Sequence, residues 1–135
     1  MNKKGFTLIE IMLVVIIIGV LAALVMPRLV GRSEEARIAA AKADIVSIST
    51  ALDVFELDNG RFPTTAESLS ALRSNPNASN LPNWKGPYLK KDAKDPWART
   101  FFYKSGGTHN VDYDLYSAGP NGIENDSDDI GNWQQ

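Results

Sequence analysis

Two groups of side chains in this sequence could do chemistry. The first is a single carboxylate, Glu10, in the stretch MNKKGFTLIEIMLVVIIIGVLAALVMP. From Phe6 to Met26 there are 21 residues, and apart from Gly19 only Thr7 and Glu10 break the apolar run. As a helix the run would span about 31 Å, close to the hydrocarbon core of a bilayer. A carboxylate at such a place needs a partner. The run contains no Lys or Arg, so the partner must come from elsewhere. An α-amino group at Phe6, created by a cut after Gly5, would serve. It stands four positions from Glu10, so the two could meet within one chain or between staggered neighbours. Three readings of the segment compete: a secretory signal peptide, with Lys3 and Lys4 as its basic region and "LAA" near Ala22 as a poor cleavage site; a plain anchor; and a segment that divides its time between membrane and copies of itself. Glu10 handicaps the first and is left unpaired in the second. Only the third gives it a use.

The second group is the acidic, turn-rich stretch SAGPNGIENDSDDIGNW near the C-terminus. From Gly119 to Gln135 there are four acids, Glu124, Asp126, Asp128 and Asp129, and no Lys or Arg. With Asn121, Asn125 and Ser127 they offer the oxygen donors that a hard cation such as Ca²⁺ takes from flexible loops. The order is not that of an EF-hand. A solvated acidic tail is the plain alternative.

Other chemistries are poorly supported. The chain of 135 residues carries a formal charge of −2 and no Cys, which excludes disulfides and thiolate catalysis. There is no basic stripe suited to nucleic acid, no phosphate-binding Gly-rich loop, no nucleophile–base set and no zinc spacing. The only His, His109, lies in a Gly-rich turn and reads as a solvated loop residue. No enzyme is read here.

At "KKGFTLIE" the residues resemble the type IV prepilin signature: a short basic leader, Gly, then Phe-Thr-Leu-Ile-Glu. The resemblance implies that a prepilin peptidase removes residues 1–5 by cutting between Gly5 and Phe6, and that Phe6 is N-methylated. It makes Glu10 the assembly residue, paired with the Phe6 amine of an adjacent subunit. Loss of Lys3 and Lys4 leaves 12 basic and 16 acidic side chains. Further along, "LDNGRFPTTAESLSAL", "GPY", "DPW" and "DDIGNW" together look like the major pseudopilins of the type II secretion system, over essentially the whole chain. In that family a loop near the C-terminus binds one structural Ca²⁺. Carried over, Asp128 and Asp129 match the paired acids, the Ala118 backbone carbonyl matches a ligand, and Asn121 falls where Asp is usual, with Glu124 or Asp126 as compensating acids. Ala98 and Ser68 stand where Gly is common.

The elements that must position these groups follow from pattern. Residues 6–26 read as a transmembrane and assembly helix, and 27–58 as its amphipathic continuation. Pro27 and Gly31 predict a kink or a melted stretch over 25–31. Ile38, Ala41, Ile45, Ile48, Leu52 and Phe55 form one apolar stripe, suited to packing on a globular domain of the same chain. Asp58-Asn59-Gly60 ends the helix. Residues 59–135 form the globular part. Thr64 and Glu67 have capping-box spacing before a short helix with Leu69 and Leu72 on its apolar face. Residues 74–87 form a loop clamped by Trp84 and Tyr88. "TFFYK" and "NVDYDLYS" flank a turn as a hairpin, with Val111, Tyr113 and Leu115 on the buried face and Asp112, Asp114 and Tyr116 opposite. An edge strand is expected near Tyr88–Leu89 and 95–97. So small a core would gain from a staple such as a bound cation.

The fold implied is α+β and type IV pilin-like: a long N-terminal helix on a small antiparallel sheet with a calcium-binding loop. The resemblance implies a major structural subunit of the type II secretion pseudopilus. Anchored once in the bacterial inner membrane with its C-terminal domain in the periplasm, it would form a homopolymer that drives export of folded proteins. Minor pseudopilins, an inner-membrane platform with a separate cytoplasmic ATPase and, indirectly, an outer-membrane secretin would be its partners. A surface type IV pilus subunit is the alternative; such subunits usually carry a C-terminal disulfide, which a Cys-free chain cannot form.

Overall fold

The computed structural model describes residues 5–77 and 79–134, with the backbone alone at 27–31. Lys3 and Lys4 of the expected leader lie outside the described residues. The chain divides into two units, Met1–Ala36 and Arg37–Gln135. One helix, α1 (Leu8–Asn59), contributes to both. Of the kink or melted stretch expected over 25–31, the melting is not found: the backbone there is helical. Pro27 forfeits a single N–H, and the residues on either side are good enough helix formers to continue.

In the first unit α1 opens on a capping box. Glu10 accepts from the Thr7 N–H at 2.7 Å and the Thr7 hydroxyl at 2.8 Å, while the Glu10 N–H donates to Thr7 Oγ1 at 3.3 Å. From Leu8 to Met26 the helix is long and apolar enough to cross a membrane, and none of it is buried within the chain.

In the second unit the later part of α1 presents the expected stripe. Ala41, Ile45, Ile48, Leu52 and Phe55 are buried and Ile38 is packed against them. Their partners are Leu69, Ala71, Leu72, Leu81, Phe101, Tyr113, Leu115 and Ile130. Each large side chain withdrawn from water contributes about 1.5–3 kcal/mol. The helix ends at Asn59 because Gly60 turns left-handed at φ +73°. Thr64 and Glu67 form the second capping box, at 2.8 and 3.2 Å. Arg61 grips both Glu67 oxygens, at 2.8 and 2.9 Å, and holds that carboxyl down at about 2. A single 3-10 turn, Leu69–Leu72, follows. The loop beyond it is clamped as expected: Trp84 Nε1 donates to the Ala71 carbonyl at 2.8 Å, and the Tyr88 hydroxyl to Asp58 at 2.9 Å.

The sheet is antiparallel, with strands β1 (Phe102–Ser105), β2 (Tyr113–Ser117) and β3 (Ile130–Gly131) in that order. Tyr103 pairs with Leu115 and Ser117 with Ile130. The expected edge strand near Tyr88–Leu89 is absent among the described residues. Both N–H groups turn instead to the Leu72 carbonyl, at 2.6 and 3.1 Å, and only an isolated Lys94–Thr100 bridge forms near Asp95. The strand on the far side, β3, comes from the segment read as loop.

The facing of the second strand also differs from expectation. Val111 is 93% exposed and lies outside the ladder. Asp114, expected on the solvent face, is 4% exposed. Its carboxylate is the centre of the turn before it, accepting the N–H groups of Thr108 at 2.6 Å, His109 at 3.0 Å and Asn110 at 2.9 Å. A Cβ on Gly107 would collide with this carboxylate, so the turn needs glycine there. His109 is not simply solvated: its ring stacks on Trp133 at 3.9 Å, with Nδ1 3.2 Å from Asp114. Two residues other than glycine carry backbone strain. Ser68 and Ala98 sit at φ 54° and 63°, where side chains are disfavoured.

Burial alone would raise the Asp114 carboxyl, but the Asn110, His109 and Thr108 N–H groups outweigh it and lower it. A folded-state value below the unfolded one, about 3.9, means that this stability is present above pH 4 and is lost as pH falls further. Asp114→Ala should cost about 2–4 kcal/mol, because the turn's amides lose their shared acceptor. It should also flatten the acid side of the stability–pH curve. Urea titrations followed by tryptophan fluorescence check both.

Candidate functional site

The N-terminal site is built from residues 5–10. A Cβ on Gly5 would meet nothing within 4 Å, so packing gives no reason for glycine there. Phe6 is 85% exposed. The structure brings Thr7 and Glu10 together. Glu10 is therefore satisfied locally, by a threonine that pattern reading passed over. Thr-x-x-Glu is the signal that reveals it, the same spacing that marked Thr64 and Glu67. Glu10 faces outward among exposed apolar side chains, with Ile9, Leu13 and Ile17 near it along the helix. In a nonpolar setting this exposed face must be covered by lipid or by another apolar helix.

The second site is the loop between β2 and β3. It leaves β2 through Ser117, whose hydroxyl donates to buried Asp95 at 2.6 Å and accepts the Gly119 N–H at 3.2 Å. Gly119 is left-handed, and a Cβ on it would strike the Asp128 carbonyl, so the two ends of the loop touch only because residue 119 is glycine. Asn121 then reaches across. Its Nδ2 donates to Asp126 at 2.6 Å and to Asp128 at 2.7 Å. The Asp126 and Asp128 carboxyls lie close enough to share a hydrogen bond, which lowers the first and raises the second. Asp129 is 7% exposed. Its Oδ2 accepts the Asn125 N–H at 2.8 Å, and its Oδ1 is buried with no partner.

The remaining residues named from sequence are placed less simply. The Ala118 carbonyl accepts the Gly122 N–H at 3.2 Å. Glu124 is drawn away to the Tyr116 hydroxyl at 2.9 Å. Burial, and then Glu124, push that tyrosine up to about 12. Among the described residues no three carboxylate or imidazole groups converge as a finished metal cage. The donor set nonetheless suits a hard cation: two adjacent carboxylates, an amide and an orphaned buried carboxylate oxygen. Arg99 was missed by sequence reasoning. Its guanidinium donates to the Gly119 carbonyl at 2.6 Å and the Pro120 carbonyl at 3.3 Å, closing the loop from the other side. A lone Arg after a turn gives no sequence signal for this contact.

Comparison with known proteins divides the chain at the same place as its chemistry. Residues 1–26 match the prokaryotic N-terminal methylation motif, and residues 28–133 match the model of type II secretion system protein G. The chain is 48% identical to type II secretion system core protein G of Pseudomonas aeruginosa, covering 98% of this chain and 96% of the relative. It is 45% identical to the protein of that name from Escherichia coli K12, covering 98% and 92%. The crystal structure of the major pseudopilin from the type 2 secretion system of enterohaemorrhagic Escherichia coli superposes with a TM-score of 0.68 at 35% identity, over 81% of this chain and 96% of that one. A methylation-type N-terminus and a protein G domain, continuous over nearly the full length of both relatives, establish that this chain belongs to the type II secretion system core protein G family, the major pseudopilins.

Proposed function

We propose that this chain is the repeating subunit of a periplasmic pseudopilus whose growth drives folded proteins through an outer-membrane channel. The observation that carries the proposal is the wholly unburied apolar helix Leu8–Met26 with Glu10 near its start. In this reading prepilin peptidase cuts between Gly5 and Phe6, and Phe6 is N-methylated. The chain crosses the inner membrane once, with the sheet-bearing unit in the periplasm. Subunits then leave the bilayer and stack helix on helix. Minor pseudopilins, an inner-membrane platform with its separate ATPase and, at a distance, the secretin act with it. No P-loop motif is present in the sequence to supply the energy.

Glu10 fixes register in this scheme by exchanging Thr7 for the Phe6 amine of a neighbouring subunit. The capping box separates two roles of the carboxylate. Gln also completes a capping box but carries no charge. Glu10→Gln should therefore give processed, membrane-inserted, helical protein that fails to assemble and does not support secretion. Normal filaments and secretion from this variant, seen by shearing and by exoprotein assay, would remove the role given to Glu10.

The loop between β2 and β3 is proposed as the seat of a structural Ca²⁺. Asp128 and Asp129 would hold it with Asn121, Asp126 and the Ala118 carbonyl; Glu124 is engaged by Tyr116. A bound cation supplies charge neutralisation and ties the loop to the sheet, so its binding energy adds to folding. At a hundredfold excess over Kd that contribution corresponds to about 10 °C or more in Tm. Melting of the processed chain in detergent, followed by its three tryptophans, all beyond residue 80, should show a lower Tm in EGTA than in millimolar Ca²⁺. Asp128→Ala should reproduce the chelator effect. Superimposable curves would eliminate the site.

A further inference from the structure

The side-chain amide of Asn121 has both ends assigned by its partners. Its Oδ1 accepts the Ile123 N–H at 2.7 Å, in the turn an Asn makes with the backbone two residues on. Its Nδ2 is thereby aimed at the two carboxylates, Asp126 Oδ2 at 2.6 Å and Asp128 Oδ1 at 2.7 Å. Its own N–H meets the other Asp128 oxygen at 3.3 Å. The Asp128 N–H donates to the remaining Asp126 oxygen at 3.1 Å. Every oxygen of this acidic pair is occupied by the loop itself, whereas the buried Asp129 Oδ1 beside it in sequence is not.

We propose that Asn121 is the residue that sets how far this loop depends on a divalent cation: its amide bridges Asp126 and Asp128 and does part of an ion's work. The inference rests on the calcium reading for its second half only. With no cation, two adjacent carboxylates repel, and the bridging amide offsets that repulsion with two charge-assisted hydrogen bonds. The loop keeps its closed form. A cation that takes those carboxylate oxygens must first displace the amide, and turning Asn121 to offer Oδ1 breaks the Ile123 bond. Both exchanges weaken binding. Aspartate at 121 reverses the balance. It retains an acceptor for Ile123 but sets a third negative oxygen against the other two. The loop then holds poorly without a cation and, with more ligand charge, binds one more tightly.

The test uses the full processed chain in detergent micelles, with tryptophan-fluorescence melts in EGTA and calorimetric titration with calcium chloride. Asn121→Asp should lower Tm in EGTA by about 5 °C and bind Ca²⁺ at least about tenfold more tightly than the parent. Asn121→Ala, which loses the bridge without adding charge, should also melt lower in EGTA and should gain no affinity. Adding Asp128→Asn should remove at least half of the Asn121→Asp penalty, because the repulsion then has one carboxylate fewer; a merely misfitted side chain would leave the penalty unchanged. Parental Tm in EGTA for Asn121→Asp, or a penalty indifferent to Asp128→Asn, overturns the bridge. Unchanged calcium affinity in Asn121→Asp beside a calcium-binding parent overturns its control over the ion. A chain that takes no Ca²⁺ in any form, yet shows the Asp128-dependent penalty, overturns the calcium reading and upholds the bridge as the loop's own staple.

Discussion

The structure depends on one constraint: an apolar helix that its own chain does not bury, carrying a carboxylate with no cation along the run. Apolar side chains from Leu8 to Met26 have nowhere to go within the molecule. They must be covered by lipid or by other apolar helices, and Glu10 must be satisfied in either setting. Thr7 satisfies it within the single chain. In the proposed assembly the Phe6 amine, once the leader is cut, would offer a charged alternative from a neighbour. The same carboxylate oxygens cannot fully serve both, so assembly would exchange a local cap for an intermolecular ion pair. Under that proposal the exchange is what would make the segment an assembly device and not a passive anchor.

The second unit meets a related difficulty with the same chemical tool. It has no disulfide, a small core and long connections, and its loops are held by carboxylates that gather backbone N–H groups. Asp114 organises the hairpin turn through three of them. Asp95 accepts from Trp97 and Arg99 and joins them to β2 through Ser117. Glu67 caps the segment after Thr64 while pairing with Arg61. Asp129 holds Asn125. Bonds from Arg61 and Thr64 hold the Glu67 carboxyl below the usual range, and the turn's N–H groups do the same for Asp114 against its burial, so at these two places a Cys-free domain gains fixed loops at the cost of sensitivity to acid.

Much of this was legible in the residues. The stripe from Ile38 to Phe55, the stop at Gly60, the capping box at Thr64 and the clamp by Trp84 and Tyr88 are local patterns with local causes, and they read correctly. What failed was non-local. Alternation puts Asp114 on the face opposite Tyr113 and Leu115, which reads as the solvent face; the turn before the strand covers it, because the unpaired amides of 108–110 claim its carboxylate. Strand β3 is two residues long and buried in an acidic segment, too short to show a period. The Arg99 grip on the Gly119 and Pro120 carbonyls joins residues twenty apart and leaves no trace in spacing. At the N-terminal site the residues are plain but their bonding is not: Thr7 and Glu10 have capping-box spacing inside an apolar run, where the absence of a cation is the stronger signal. In the acidic loop the donor types were readable, while their grouping, with Asn121 between Asp126 and Asp128 and Glu124 drawn to Tyr116, came only from the fold.

The most direct measurement is a dipolar-recoupling solid-state NMR distance in filaments grown from a mixture of two preparations. One carries ¹⁵N at the Phe6 amine and the other ¹³C at the Glu10 carboxyl. An exchange of Thr7 for a neighbour's amine predicts coupling between the two labels at salt-bridge distance, about 3–4 Å. Well-ordered mixed filaments with no such coupling would contradict it.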